Sequence, residues 1–282
     1  MRDETMTIRP VARVAAGVPA SDGAGVKLHR AIGTPRLGEV DPFLLLDEIR
    51  SDDAADYGAG FPDHPHRGFE TVTYVLAGRM RHGDNHGNSG LLTPGSVQWM
   101  TAGRGIVHSE MPEQENGLMW GFQLWVNLPA KDKLIAPRYQ DIAPERVPEA
   151  DLPGGARVRV LAGSFAGLTG PVEGIVTEPL LLDLALPAGS RVAVPTPAGH
   201  NVFLYAFAGE ATAGEPAVAL PRGSTAVLGP GDTAVVGGKT AARVLLAAAR
   251  PLGEPVARYG PFVMNTQAEI RQAIADFQAG RF

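Results

Sequence analysis

Glycine and proline interrupt the apolar sequence throughout this chain, and this feature most restricts its fold. The 282 residues include 35 glycines and 24 prolines. Both residues are disfavoured inside helices and commonly mark turns between strands. Residues 69–76 are rich in Val, Thr, Phe and Tyr, and residues 120–128 are rich in aromatic residues. The pattern therefore predicts an all-β fold built from many short strands.

The same pattern predicts a second group of strands after residues 129–157, a Pro-, Lys-, Asp- and Glu-rich stretch that we interpret as a linker. The second group is predicted at 157–161, 180–186, 192–194, 202–207, 225–228, 233–236 and 243–247, and a further strand of the first group at 97–100. Residues 266–282 instead predict a short helix. Thr266 and Glu269 have the spacing of a capping box, and apolar residues recur on one face after them.

A weak internal repeat indicates two similar domains. Tyr74–Gly78 is echoed by Tyr205–Gly209, and Leu92–Ser96 by Leu228–Asp232. The alternative is that Pro-Gly turns and Ala-Gly strand ends recur by chance in such a chain. We expect an N-terminal domain over 1–140 and a C-terminal domain over 141–282.

Composition restricts the function. The net charge is −5 without a run of basic residues, which argues against direct nucleic-acid binding. Cysteine is absent, so any metal site must use His, Asp or Glu. Neither a signal peptide nor an apolar stretch of about 18 residues is apparent, so we expect a cytoplasmic protein without a membrane span.

The strongest local motif is His64-Pro65-His66. Side chains alternate along a strand, so both imidazoles would lie on one face, and Pro65 requires an edge or the start of a strand. His108-Ser109-Glu110 has the same geometry. If two such strands faced each other inside a barrel, three imidazoles and one carboxylate would converge. The alternative is that His64 and His66 lie in a surface loop.

The repeat predicts that only the N-terminal domain carries this site. The positions matching His64 and His66 lie near Pro195 and Pro197, and those matching His108 lie near Arg243 and Val244. Three imidazoles and a carboxylate suit one divalent transition metal: Fe(II), Mn, Co, Ni, Cu or Zn. Four protein ligands leave two adjacent positions open on an octahedral ion, whereas zinc would more often be tetrahedral and closed. We therefore favour Fe(II).

Two longer motifs resemble a known family. Gly58, His64-x-His66, Glu70 and Gly78 have nearly the spacing of the first cupin motif. Phe61-Pro-Asp-His-Pro-His-Arg-Gly-Phe-Glu-Thr-Val-Thr-Tyr74 and Gln98-Trp-Met-Thr-Ala-Gly-Arg-Gly-Ile-Val-His-Ser-Glu-Met-Pro112 resemble the pirin family. The resemblance extends over about residues 25–282 and includes Gly260–Thr266 and the final helix.

The resemblance implies two tandem cupin-type (jelly-roll) β-barrel domains, a metal site in the N-terminal one only, and a short C-terminal helix that packs on the body. It implies His64, His66, His108 and Glu110 as metal ligands. Glu70 is expected to be structural or to support a ligand.

Asp47, Phe61 and Arg67 are expected around the metal. Arg67 would hold an anionic or phenolic substrate, or would pair with Asp47 or Glu48.

The family also implies candidate functions. The first is a quercetin 2,3-dioxygenase that cleaves a flavonol with O₂, releasing a depside and carbon monoxide, with Glu110 taking the 3-hydroxyl proton. The second is a non-enzymatic, redox-dependent regulator that binds a transcriptional or metabolic-enzyme partner. A third is another metal-dependent cupin reaction, such as an isomerase or a dioxygenase acting on a different aromatic.

Overall fold

Strand is the main secondary structure in the computed structural model, which describes residues 6–114 and 116–282. The strands are β1 (Val11–Ala16), β2 (Val18–Asp22), β3 (Val26–Ile32), β4 (Phe43–Ser51), β5 (Phe61–His66), β6 (Phe69–Ala77), β7 (Met80–Asp84), β8 (Ser89–Leu92), β9 (Val97–Thr101), β10 (Ile106–Pro112), β11 (Met119–Asn127), β12 (Arg138–Ile142), β13 (Glu149–Asp151), β14 (Arg157–Ala162), β15 (Ser164–Phe165), β16 (Leu168–Thr169), β17 (Leu180–Leu186), β18 (Arg191–Pro195), β19 (Asn201–Ala208), β20 (Ala211–Ala213), β21 (Val218–Leu220), β22 (Ser224–Leu228), β23 (Thr233–Gly238), β24 (Ala242–Ala249), β25 (Ala257–Tyr259) and β26 (Phe262–Met264).

Helices are few and short in the same residues. The α-helices are α1 (Ala54–Tyr57) and α2 (Gln267–Gln278), and 3-10 turns occur at Ala130–Asp132, Pro144–Arg146 and Pro153–Gly155. No helix in the described part of the chain has the length and apolar content needed to cross a membrane. The predicted all-β class with a short C-terminal helix is confirmed.

All ten predicted strands are present, with bounds within two residues of the predicted ones. The predicted linker contains the boundary between the two compact units, which lies between Arg146 and Val147, but it is not free of strands. Within 129–157, β12 pairs with β9 and β13 pairs with β14. This stretch is polar because both strands lie at sheet edges, where one side of the strand faces solvent.

The chain divides into two compact units. The first unit comprises residues 18–33, 43–146 and 252–282, and the second comprises 6–17, 34–42 and 147–251. The predicted domains, 1–140 and 141–282, differ from these units at both ends. Strand β1 pairs with β22 and so belongs to the second unit, whereas α2 packs on β25 and β26 in the first.

Each unit contains one seven-stranded and one four-stranded antiparallel sheet. In the first unit the orders are β12-β9-β6-β11-β4-β3-β2 and β5-β10-β7-β8; in the second they are β1-β22-β19-β24-β17-β14-β13 and β18-β23-β20-β21. The two orders correspond position by position, except that one edge is formed by β12, the last strand of its sheet in the chain, in the first unit and by β1, the first strand, in the second. The repeated segments Tyr74–Gly78 and Tyr205–Gly209 begin in β6 and β19, which hold the same place in their sheets. The topology therefore supports the internal repeat. The second predicted pair of segments is wrong, however, because Leu92–Ser96 connects β8 to β9 whereas Leu228–Asp232 connects β22 to β23, the counterparts of β9 and β10.

The correspondence also corrects the predicted counterpart of His108. His108 lies on β10, which corresponds to β23 rather than to β24, where Arg243 and Val244 lie. The strands that match β5 and β10 contribute apolar side chains to the core of the second unit, namely Val192, Val194, Ala234 and Val236. The interior that is polar in the first unit is thus filled by close-packed aliphatic groups in the second.

Helix α2 begins with the predicted capping box. The Thr266 hydroxyl accepts from the Glu269 N–H at 3.2 Å, and the Glu269 carboxylate accepts from the Thr266 N–H at 2.8 Å. We expect Thr266→Ala to lower the free energy of unfolding of the first unit by about 1 kcal/mol. Urea unfolding followed by tryptophan fluorescence reports this unit alone, because Trp99, Trp120 and Trp125 all lie within it.

Thr266→Ser is the matched control, since serine retains the capping oxygen and should cost far less. Equal losses in Thr266→Ala and Thr266→Ser would contradict the capping interpretation.

Candidate metal centre

The two histidine motifs lie on neighbouring strands of one sheet. Strand β5 is the edge strand of the four-stranded sheet, and β10 is its antiparallel neighbour. The edge position suits Pro65, which has no N–H to donate to a second neighbour. The register places His64 opposite His108, with His66 two residues along β5. The expected pair of facing strands is therefore corrected to a pair of adjacent strands whose histidines share one face.

The three imidazoles form a compact cluster. One ligand nitrogen from each of His64, His66 and His108 lies within 4.8 Å of the other two. The ring centroids are 4.4–4.9 Å apart, and the Nε2 atoms of His64 and His66 are separated by 3.0 Å. Within residues 6–114 and 116–282, this is the one group of three or more His, Asp or Glu side chains that could hold a metal ion.

A backbone contact fixes the tautomer of His64. Its Nδ1–H donates to the Pro62 carbonyl at 2.8 Å, which leaves the Nε2 lone pair directed at the cluster. Metal-binding histidines commonly use their second nitrogen in this way, because the contact holds the ring in the ligating orientation.

Burial keeps His66 and His108 in the neutral form that binds metal. Desolvation, reinforced by the neighbouring imidazoles, lowers the pKa of His66 well below its usual value. The same causes lower the pKa of His108 to about 3. Both ring nitrogens of His108 are buried without a hydrogen-bond partner in the described residues. An orphaned, neutral, buried imidazole beside two others is the donor set expected of a site for a divalent transition metal.

Glu110 lies two residues beyond His108 and is fully buried, at 1 % exposure. Its carboxylate accepts from the Thr73 hydroxyl at 2.9 Å and from the Gln123 amide at 2.6 Å. It does not belong to the cluster of mutually close ligand atoms. A carboxylate accepts about four hydrogen bonds or ligand contacts, so these two donors leave acceptor capacity for a metal.

Glu70 does not belong to the histidine cluster, in accord with its expected structural role. Its carboxylate accepts from the hydroxyl of Thr101, its cross-strand neighbour, at 2.6 Å. Burial raises the pKa of Glu70.

A cavity of about 610 Å³ opens onto the histidine cluster. His64 and His66 form part of its wall, and two of the predicted pocket residues, Asp47 and Phe61, line it as well. Arg30 donates to both carboxylate oxygens of Asp47 at 2.7 and 2.8 Å. Burial nevertheless raises the pKa of Asp47.

Arg67 is placed differently from both sequence interpretations. Its guanidinium donates to Asp276 on α2 at 2.7 Å and to the Arg104 carbonyl at 2.5 Å, and it pairs with neither Asp47 nor Glu48. It is not among the residues that line the cavity. The reason is strand alternation: Arg67 follows His66 directly, so the two side chains point in opposite directions.

Two residues of β11 that sequence reasoning missed, Gln123 and Trp125, line the cavity. The Trp125 indole N–H donates to the side-chain oxygen of Gln123 at 3.0 Å, and the side-chain NH₂ of Gln123 donates to Glu110. The Trp125 ring lies 5.3 Å from that of His66, and the Arg258 guanidinium lies 4.7 Å from Trp125. A glutamine inside an aromatic-rich strand was the available signal, because a buried amide needs partners.

Two protein-family models match this chain, one in each half. The model of the Pirin family matches residues 25–126, and that of the pirin C-terminal cupin domain matches residues 181–282. A protein of Pseudomonas aeruginosa, whose name provisionally assigns it quercetin 2,3-dioxygenase activity, is 53 % identical over 277 residues, covering 96 % of this chain and 97 % of that protein.

Solved structures share the fold. A quercetin 2,3-dioxygenase from Acinetobacter baumannii superposes with a TM-score of 0.90 at 33 % identity, covering 98 % of each chain. A bacterial pirin from Escherichia coli, solved in complex with nickel(II), superposes with a TM-score of 0.65 at 20 % identity, covering 86 % of this chain and 98 % of that one. The expected pair of cupin domains is confirmed.

Proposed function

Because this chain belongs to the pirin family, we propose that it is a metal-dependent dioxygenase of the quercetin 2,3-dioxygenase type. Its substrates would be a flavonol or a similar phenolic and O₂. The ligands would be His64, His66, His108 and Glu110, and the metal Fe(II). The observation that carries the proposal is the convergence of three imidazoles at a cavity large enough for an aromatic molecule.

The cavity supports a phenolic substrate by size and by lining. Its volume of about 610 Å³ lies within the range of about 300–1,000 Å³ typical of pockets for such ligands. Phe61 and Trp125 offer apolar faces, and Arg258 offers positive charge for a phenolate oxygen. A largely apolar wall would also exclude water from the reacting ring.

Glu110 is the best-placed base for the 3-hydroxyl proton. It lies beside the cluster, and Gln123, which lines the cavity, donates directly to it. The Thr73 and Gln123 hydrogen bonds fix the orientation of the carboxylate, which would accept the proton. When bound, iron would supply a Lewis acid for the phenolic oxygen and redox chemistry with O₂.

The experiment combines metal analysis with turnover. The protein would be purified anaerobically, its bound metal quantified by mass spectrometry, and O₂ uptake and carbon monoxide release followed with quercetin. We expect about one metal ion per chain and turnover that is lowered about 100-fold or more in Glu110→Gln.

Glu113→Gln is the matched control, because Glu113 lies three residues further along and pairs with Arg81. It should turn over as the wild type does. Iron bound without turnover of any phenolic would contradict the dioxygenase proposal and favour the regulator. Failure to bind any metal after reconstitution would refute the site itself.

A further inference from the structure

Residues Asp276–Phe282, which we call the C-terminal strut, contact the neighbours of two proposed ligands. The first contact is with Arg67, which directly follows His66. Asp276 pairs with the Arg67 guanidinium at 2.7 Å, and the two side chains are only 16 % and 7 % exposed. The ring of Phe282 lies 4.4 Å from the same guanidinium.

The second contact reaches β10 through Asn85. The Asn85 amide donates to the Phe282 carbonyl at 2.8 Å, and its side-chain oxygen accepts from the Val107 N–H at 3.1 Å. The Asn85 N–H in turn donates to the Val107 carbonyl at 2.9 Å. Val107 directly precedes His108, so one amide side chain links the strut to this ligand.

The Phe282 ring also lies against the backbone where β10 begins. A Cβ placed on Gly105 would come within 2.7 Å of the ring, and only glycine readily adopts the φ of +140° found there. The ring packs further on Phe262 and Phe277, with centroids 5.7 and 5.6 Å away. The strut is therefore a packed element with a defined position.

Stability alone gives a weak reason for such an arrangement. A buried ion pair often contributes little net stability, because desolvation offsets the attraction between the charges. Its position suggests a geometric role instead. The strut contacts the Arg67 side chain, next to His66, and reaches Val107, next to His108, through Asn85. It therefore adds a further connection between two strands that already pair in one sheet.

We infer that the C-terminal strut is a positioning element for the metal centre, and that Asp276 and Phe282 set metal affinity and coordination geometry without contacting the metal. The inference rests on the proposed function only in taking His66 and His108 as ligands. Metal sites tolerate ligand displacements of about 0.2 Å, and loss of supporting partners typically lowers metal affinity about 10- to 100-fold.

The test measures metal binding rather than turnover. The dissociation constant for Ni(II) would be determined by competition with a chromophoric chelator, and the visible d–d spectrum recorded with Co(II). We expect Asp276→Asn and Asn85→Ala to weaken Ni(II) binding about 10-fold or more and to change the Co(II) spectrum. Gln272→Ala is the control, because Gln272 contacts Asp276 from the same helix without reaching Arg67.

Unfolding of the metal-free variants, followed by tryptophan fluorescence, separates positioning from folding. If Asp276→Asn fails to fold, Asn85→Ala carries the test, since Asn85 lies in an exposed loop. Folded variants with the wild-type Ni(II) affinity and Co(II) spectrum would overturn the inference, even if they were less stable. A wild-type protein that binds neither metal would instead refute the proposed metal site.

Discussion

His108→Leu is expected to lower Fe(II) or Ni(II) affinity by more than about 100-fold while leaving the metal-free protein at least as stable as the wild type. The ring of His108 is completely buried, and neither of its nitrogens has a hydrogen-bond partner in the described residues. An unsatisfied buried polar group costs about 1–3 kcal/mol. Leucine, of similar size, removes that cost and also removes one of the three converging imidazoles.

The measurement pairs a chelator competition assay with urea unfolding of the metal-free protein. His86→Leu is the control, because His86 lies in an exposed loop outside the histidine cluster. It should change neither quantity. Undiminished metal affinity in His108→Leu would show that the cluster is not the metal site. A large loss of metal-free stability would show that His108 instead supports the fold.

Gly68→Ala is expected to destabilise the first unit by on the order of 3 kcal/mol or more. Gly68 has a φ of +87°, and a Cβ there would lie 2.0 Å from the carbonyl oxygen of Val263. That oxygen and the Gly68 carbonyl both accept from the buried Lys133 ammonium, at 3.0 and 2.8 Å. Neither backbone can move without breaking these hydrogen bonds, so the clash cannot relax cheaply.

Gly87→Ala separates the two causes of this loss. Gly87 has nearly the same φ, +86°, but a Cβ there would meet nothing within 4 Å. It should therefore cost only the left-handed backbone strain, roughly 1–2 kcal/mol. The difference between the two variants in tryptophan-monitored urea unfolding measures the clash. Equal losses would show that Gly68 is required only for its backbone conformation.

The strands and the histidine cluster were predictable because their signals are local. Apolar runs bounded by Gly and Pro located β6, β17 and β19 almost to the residue. The alternation of side chains predicted that His64 and His66 share a face, and Pro65 predicted the edge position.

The direction of a side chain was harder to predict when its partner is distant in sequence. Arg67 was expected in the cavity or beside Asp47, but its carboxylate partner is Asp276, which is 209 residues away. No local pattern links these positions. Likewise, the hydrogen bonds that hold Glu110 come from β6 and β11, and they depend on the order of strands within the sheet.

A buried histidine was also hard to predict where the surrounding sequence is polar. His82 lies in a polar stretch of the sequence, but it is 2 % exposed and contacts the Asp141 carboxylate at 2.9 Å. A Cβ on Gly90, its cross-strand neighbour, would lie 2.3 Å from its Nε2. Because residue 90 has no side chain, the His82 ring has room to contact Asp141. The sequence pattern does not distinguish such a glycine from a turn glycine.

Strand β1 belongs to the second unit and helix α2 to the first, and this arrangement has a consequence for biosynthesis. Strand β1 leaves the ribosome early, yet its partner β22 is made more than 200 residues later. The proposed ligands are all translated by residue 110, but the partner of Arg67 is Asp276. A nascent chain would therefore carry its metal ligands long before the strut arrives. Under the positioning inference, tight metal loading would follow the synthesis of residues 276–282.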